Sequence, residues 1–368
     1  MESIADYDIV DYQTDFSDED YEKLVIEAFE KSLALNKISE RQYLDVRTLL
    51  PELSPEEEAL SIKKRSKRTP DYIERIKAII QAAAKTVEES TSLESKLILD
   101  DEPLRTRLHL VLLERGELPQ VIANELENNS NRYKEWYKHN RIGTLFLFCS
   151  DYQIKKSYTG FETYILLSSK IMRNFVSLFS RVWELSIDEG FSVEKPIPFN
   201  FETQTKAAYD ISQKKVFEIS SFASIGPALY SFANQMGRIF EQLNKDERQS
   251  QPERNHFGIQ GELSENGNKL IRGALMNSVI QETSATKMKN GAVVRGRDYL
   301  LNRIYCPFYN MSYRKMHKLE LSSVDMDVLL VGLPEEKRTI YNKIINKLLK
   351  HQNVKSDDKQ LNLLESFL

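Results

Sequence analysis

Between Thr283 and Lys318 the chain carries eight Lys or Arg residues, Lys287, Lys289, Arg295, Arg297, Arg303, Arg314, Lys315 and Lys318, against one acid, Asp298. The whole chain is acidic, with a formal net charge of -4, so this stretch is a local reversal of sign. Clustered Lys and Arg neutralise phosphates and release their counterions, which is the electrostatic footprint of nucleic-acid binding. Just upstream, Asn266, Asn268, Lys269 and Arg272 fall on a segment whose apolar residues Leu263, Leu270, Ile271, Ala274, Leu275 and Ile280 have helical spacing. In that arrangement Lys269 and Arg272 face a groove, while Lys287, Lys289, Arg295 and Arg297 lie along backbone phosphates. The same fold used only for protein contact is the competing reading.

Other chemistries find little support. A phosphate-cradling loop needs closely spaced glycines and a Lys before Ser or Thr, and the chain has no Gly-Lys pair. The run Leu97-Ile98-Leu99-Asp100-Asp101-Glu102 imitates an ATPase acidic motif that could hold Mg²⁺, but without a phosphate loop upstream it reads as a helix cap, with Asp101 before Pro103. The five histidines, His109, His139, His256, His317 and His351, are scattered with no ligand spacing, so no metal is expected. Cys149 and Cys306 sit in apolar settings that raise a thiol pKa, and no Gly-x-Ser-x-Gly turn is present, so no nucleophile is expected either. The basic run Lys63-Lys64-Arg65-Ser66-Lys67-Arg68 is either a nucleic-acid patch or, more simply, a solvated helix end. No catalytic role and no cofactor are expected.

Positioning these groups falls to a largely helical chain. With 41% hydrophobic residues, 13 Gly and 11 Pro in 368 residues, and Leu, Ile, Lys and Glu at helical spacing, a mainly α protein is favoured. From Glu2 to Glu22 there are nine acids and no Lys or Arg, a mobile acidic tail up to residue 16. Ser17 with Asp20 starts a helix near Asp18; Ser39 with Gln42 starts a second, ended by Pro51; Ser54 with Pro55 starts a third; Pro70 opens a fourth. Thr86 to Ser95 reads as a polar connection, followed by helices over Asp101–Leu113, Leu118–Leu126 and Arg132–His139. Ile142–Cys149 is a continuous apolar run that periodicity leaves open between a buried strand and a buried helix turn. Helices then follow over Phe161–Ser169, Ile171–Asp188, Thr203–Phe217 and Ile225–Leu243.

From Asn255 the order is a short extended run at Asn255–Ile259, a helix with cap chemistry at Ser264, a polar basic hairpin over Thr283–Arg297 turning at Asn290-Gly291, and an apolar strand over Tyr299–Tyr305. That order suits half of a winged helix-turn-helix. Pro334 opens a last amphipathic helix, with Glu335 and Glu336 near its positive end and Lys347 and Lys350 near its negative end. No run approaches bilayer length, and the two cysteines suit a reducing compartment, so a cytoplasmic protein is expected.

Three stretches resemble the region that follows the nucleotide-binding core in bacterial origin-recognition-complex-type AAA ATPases: Leu49–Leu60, Tyr158–Phe175 and Leu301–Lys315. The resemblance spans roughly Leu49 to Leu333 and implies a helical lid followed by a winged helix. In such ATPases the lid carries Ser-Gly-x-x-Arg, whose Arg reaches a nucleotide held by the core; Arg173 matches that Arg, while Lys170 stands where Gly is usual. The phosphate-binding core expected before Leu49 is missing, so the resemblance implies that the lid and winged-helix parts are retained while hydrolysis is not. The tail run Gln360-Leu361-Asn362-Leu363-Leu364 loosely resembles the peptide by which bacterial proteins dock on sliding clamps.

The expected architecture is therefore an acidic tail over 1–16, a helical N-terminal domain over 17–140, a lid-like helical domain over 141–250, a winged-helix domain over 251–333 and a C-terminal helix and tail over 334–368. The expected function is a non-catalytic DNA-binding or adaptor module using Lys269, Arg272, Lys287, Lys289, Arg295 and Arg297. The alternative is a protein-interaction subunit whose Arg173 completes the nucleotide site of a separately encoded P-loop ATPase. DNA and that ATPase are the expected partners; the oligomeric state is open.

Overall fold

The computed structural model describes residues 17–35, 45–193, 196–245, 253–283 and 298–348. Among the described residues the chain is mainly helical, with one small sheet. Helix α1 (Asp18–Leu35) starts where Ser17 Oγ accepts from the Asp20 amide at 3.0 Å. A single turn, α2 (Val46–Leu49), is capped by Asp45; the expected start at Ser39 and Gln42 lies outside the described residues. Helix α3 (Pro55–Arg65) has a complete capping box, with Ser54 Oγ accepting from the Glu57 amide and Glu57 Oε2 from the Ser54 amide. It is followed by α4 (Tyr72–Ala83), α5 (Val87–Leu97), α6 (Pro103–Glu114), α7 (Pro119–Glu127) and α8 (Asn131–Asp151).

Three expectations need correction in this part. The stretch Thr86–Ser95 is not a connection: Thr86 Oγ1 caps the Glu89 amide at 3.1 Å, and Leu93 and Leu97, one turn apart, bury a narrow apolar stripe. Arg132–His139 and Ile142–Cys149 belong to one helix, α8, capped by Ser130. Every residue from Gly143 to Cys149 is buried, so this half is enclosed all round and shows no amphipathic period. Asp101 does not cap α6. Glu102 holds the N-cap position without a side-chain bond, and Asp100 pairs with Lys63 at 3.6 Å.

The chain continues through α9 (Phe161–Ser168), α10 (Met172–Asp188), α11 (Phe201–Glu218), two short 3-10 turns (Ile219–Ser221 and Ala223–Ile225) and α12 (Gly226–Lys245). Next come β1 (Arg254–Gln260), α13 (Glu265–Met276), β2 (Ile280–Thr283) and β3 (Asp298–Leu301). A 3-10 turn (Arg303–Tyr305), α14 (Cys306–Tyr309), β4 (His317–Ser322), α15 (Ser323–Val331) and α16 (Pro334–Leu348) end the described chain. The sheet order is β2-β3-β1-β4. Its β1 pairs antiparallel with β3, Phe257 opposite Tyr299, and parallel with β4, Phe257 opposite Leu319. The apolar run Tyr299–Tyr305 is a strand only to Leu301. There Asn302 Oδ1 accepts from the Ile304 amide at 3.1 Å and turns the backbone into the 3-10 turn. Strand β4 was not anticipated.

Buried apolar side chains form two clusters. One gathers α3 to α8 around Ile76, Leu108 and Phe148. The other joins α1, α2 and α9 to α12 to the sheet, α15 and α16, around Tyr164, Phe232 and Phe257. The apolar faces of α1 and α2 thus pack with the later helices. Among the described residues no helix is long and apolar enough to cross a membrane.

His109, fully buried in the first cluster, lies 2.7 Å from both Leu97 O and Tyr133 Oη. The carbonyl only accepts, so the neutral ring carries its proton on Nδ1, and Nε2 accepts from the tyrosine hydroxyl. Burial holds its pKa down from 6.5 to about 4. The unfolded chain takes up this proton below about pH 6.5 and the folded chain only near 4, so stability is lost as pH falls through that window, by about 3 kcal/mol at the acid end. The melting temperature followed by circular dichroism is expected to drop on acidification in wild type and to drop less in His109→Gln. Parallel pH profiles for the two proteins would refute the assignment.

Candidate lid-like and nucleic-acid surfaces

The three family-like stretches, distant in sequence, meet in one place. The Phe161 amide donates to Leu50 O at 3.0 Å, and the Leu53 amide to Thr159 Oγ1 at 3.1 Å, joining Leu49–Leu60 to the start of α9. Gly160 sits at φ 94, where a Cβ would lie 3.0 Å from Glu52 Cβ, so only glycine allows this approach without strain. From the same segment, Tyr158 Oη lies 3.1 Å from Cys306 O and 2.9 Å from Met311 O, and the Lys156 amide donates to Asn310 Oδ1 at 3.1 Å. These contacts bring in the third stretch, Leu301–Lys315. The buried Lys156 ammonium lies 3.6 Å from the buried Glu58 carboxylate, so α3 is tied to the same joint.

The α9–α10 corner is held just as firmly. Ser169 Oγ accepts from the Arg303 amide and Ser169 O from Gln281 Nε2, both at 3.0 Å, docking the corner on the sheet unit. Ser169 and Lys170 have φ of 55 and 58, the left-handed region that costs a non-glycine residue about 1–2 kcal/mol. Lys170 therefore departs from the expected Gly in type while keeping the backbone conformation that glycine favours. Its ammonium lies 3.1 Å from Asp18. Arg173, the second residue of α10, is exposed and has no ion-pair partner among the described residues. A cation in a first turn opposes the helix dipole, so its own helix gives Arg173 no electrostatic support.

On α13, Ser264 Oγ accepts from the Gly267 amide at 3.0 Å, the expected cap. Asp327 of α15 also reaches this end, its carboxylate accepting from Ser264 N and Ser264 Oγ at 2.8 Å each. The positive end of the helix is thus already matched by a carboxylate from the protein itself. Lys269 and Arg272 are exposed, share the outer face with Asn266, and have no ion-pair partner among the described residues. Asn268 is exposed too, but its Nδ2 donates to Leu263 O at 3.0 Å. The arms β2 and β3 pair antiparallel from Thr283 and Asp298, while Lys287, Lys289, Arg295, Arg297 and the Asn290-Gly291 turn lie outside the described residues. So does Gln360–Leu364.

Part of the basic stretch is engaged inside the fold. Arg303, largely enclosed with its pKa lowered by burial, donates through Nε to Tyr313 O at 2.9 Å. Arg314 lies 3.9 Å from Glu253, and Lys318 bridges Asp298 at 3.2 Å and Glu320 at 2.5 Å. In the Lys63–Arg68 run, Arg68 Nε donates to Asp151 O at 2.8 Å and Arg65 makes an exposed pair with Glu202 at 2.7 Å, while Lys64 and Lys67 are exposed. Cys149 and Cys306 are both buried and burial pushes their thiols up, away from the thiolate form a nucleophile needs. Sequence reasoning missed Lys134, Lys138 and Arg141, which the structure sets along one face of α8. Their signal was present, as basic residues alternate with Tyr133, Trp136 and Tyr137 over 131–141.

No curated protein and no solved structure was found to match the chain. The sequence model of the family described as ORC-CDC6-like matches residues 1–321, covering all three stretches that converge on the Tyr158 to Ser169 joint. By that match over most of its length, the chain belongs to the ORC-CDC6-like family.

Proposed function

We propose that this chain is a non-catalytic DNA-binding or adaptor module, and that β1, α13, β2 and β3 act as a winged reader. The observation that carries the reading is the outer face of α13, where Lys269 and Arg272 are exposed and have no ion-pair partner among the described residues. A helix between two strands, followed by an antiparallel pair whose connection over 284–297 holds four Lys or Arg and no acid, supports it. In this reading Lys269 and Arg272 enter a groove and Lys287, Lys289, Arg295 and Arg297 follow the phosphates. Because Asp327 matches the helix N-terminus, side chains rather than amide groups must supply the positive charge. The double variant Lys269→Ala, Arg272→Ala is expected to bind duplex DNA on the order of tenfold more weakly by fluorescence anisotropy. Wild-type affinity in a folded double variant would sink the assignment.

A second reading is favoured by Arg173. An exposed arginine in the first turn of α10, beside a left-handed corner at Lys170, could complete the nucleotide site of a separately encoded P-loop ATPase. Co-purification of such a partner, with ATP hydrolysis lost in Arg173→Ala, would favour this reading; hydrolysis indifferent to the substitution would remove it.

A further inference from the structure

A positively charged groove lies beside the other core cluster, away from the exposed face of α13. Bounded by α6, the end of α7 and the first half of α8, it has a volume of about 460 Å³. Its walls include Arg105, Tyr133, Lys134, Tyr137, Lys138 and Arg141, and no carboxylate is among the lining residues. Lys134, Lys138 and Arg141 are spaced i, i+4, i+7, so they share one face of α8 and span roughly 10 Å at 1.5 Å per residue. Arg105 is held across the groove floor, its guanidinium 5.1 Å from the Tyr137 ring centre and 5.9 Å from that of Tyr133. Its Nε is buried without a hydrogen-bond partner among the described residues.

Nearby acids partly offset the two arginines and leave the two lysines free of them. Glu102 pairs with Arg105, while Glu135 pairs with His139 outside the groove. Glu56 accepts from Tyr137 Oη at 2.5 Å and stands 3.8 Å from Arg141. Lys134 and Lys138 have no ion-pair partner among the described residues. Two lysines at i, i+4 repel each other and weaken the helix that carries them, which an anionic ligand would relieve. A span of roughly 10 Å lets the three side chains reach neighbouring phosphates of one backbone strand. One face of Tyr137 is covered by Arg105 and one face of Trp136 by Arg132 at 4.5 Å. That leaves less ring surface for an unpaired base to stack on, which favours a duplex over a single strand.

We propose that the groove between α6 and α8 is a separate DNA contact, holding the phosphate backbone of a duplex through Lys134, Lys138 and Arg141 with Arg105 at its floor. The contact does not depend on α13. The test is anisotropy of the full chain against a labelled duplex and its separated single strand across a salt series. The variants are Lys134→Ala with Lys138→Ala, Lys134→Arg with Lys138→Arg, and the α13 double variant. Removing two phosphate contacts is expected to lower the slope of log affinity against log salt by about 1.8 and duplex affinity on the order of tenfold, with the arginine pair retaining both. Thermal melting of the alanine pair should be unchanged or raised, since a repulsion is removed. Wild-type duplex affinity and slope in the folded alanine pair would overturn the proposal whatever α13 does, and loss confined to the single strand would overturn the duplex assignment. Loss in the α8 pair alone, with the α13 variant unaffected, would support this groove while refuting the winged reader.

Discussion

Alanine at Lys287, Lys289, Arg295 and Arg297 together is expected to weaken duplex binding on the order of a hundredfold or more near physiological salt. Each phosphate contact contributes about 0.9 to the slope of log affinity against log salt, so removing four should flatten that slope by about 3.6. All four residues fall in the connection between β2 and β3, which contains no acid to offset them. Backbone contacts carry no sequence information, so the loss should be nearly equal for unrelated duplexes, whereas loss at Lys269 and Arg272 should differ between sequences. A quadruple variant with undiminished affinity and an unaltered salt slope would show that the connection is not a wing on DNA. It would leave the protein-contact reading through Arg173 as the better account.

Asp151→Ala is expected to destabilise the fold by roughly 3–5 kcal/mol, the range found when one partner of a buried ion pair is removed. Arg107 on α6 is fully buried, and its Nε donates to Asp151 Oδ2 on α8 at 2.6 Å. Its two terminal nitrogens have no hydrogen-bond partner among the described residues, so without the carboxylate the guanidinium would be left charged in an apolar cluster. Replacing both residues by apolar ones, as in Arg107→Met with Asp151→Leu, should recover most of that loss because no charge is then stranded. Urea denaturation followed by circular dichroism separates the cases. A loss in Asp151→Ala below about 1 kcal/mol would place the pair among the weak surface bridges such as Arg65–Glu202, which are worth little.

The helical class, the caps at Ser17, Ser54 and Ser264, and the helix opened by Pro334 were legible because they depend on residues within one turn of each other. The continuous apolar run at Ile142–Cys149 was not, since a helix enclosed on every side loses the period that identifies it. Strand β4 escaped because its pairing is with β1, about sixty residues upstream, and only two of its residues, Leu319 and Leu321, are well buried.

Among the candidate site residues named from charge and spacing, Lys269 and Arg272 are exposed in the structure. The same reasoning over-counted the basic stretch. Arg303, Arg314 and Lys318 find partners at Tyr313, Glu253, Asp298 and Glu320, several of them on other elements that local spacing does not reveal.

By itself, then, the sequence determined the helical class, the caps at Ser17, Ser54 and Ser264, the local surplus of positive charge and the family to which the chain belongs. Tertiary structure alone decided which of those charges remain exposed and how Leu49–Leu60, Tyr158–Phe175 and Leu301–Lys315 come to share one joint. The physical reason is range. Helix propensity and capping act over three or four residues, whereas burial, ion pairing and close approach depend on side chains from separate elements, over a hundred residues apart in the case of Gly160 and Glu52.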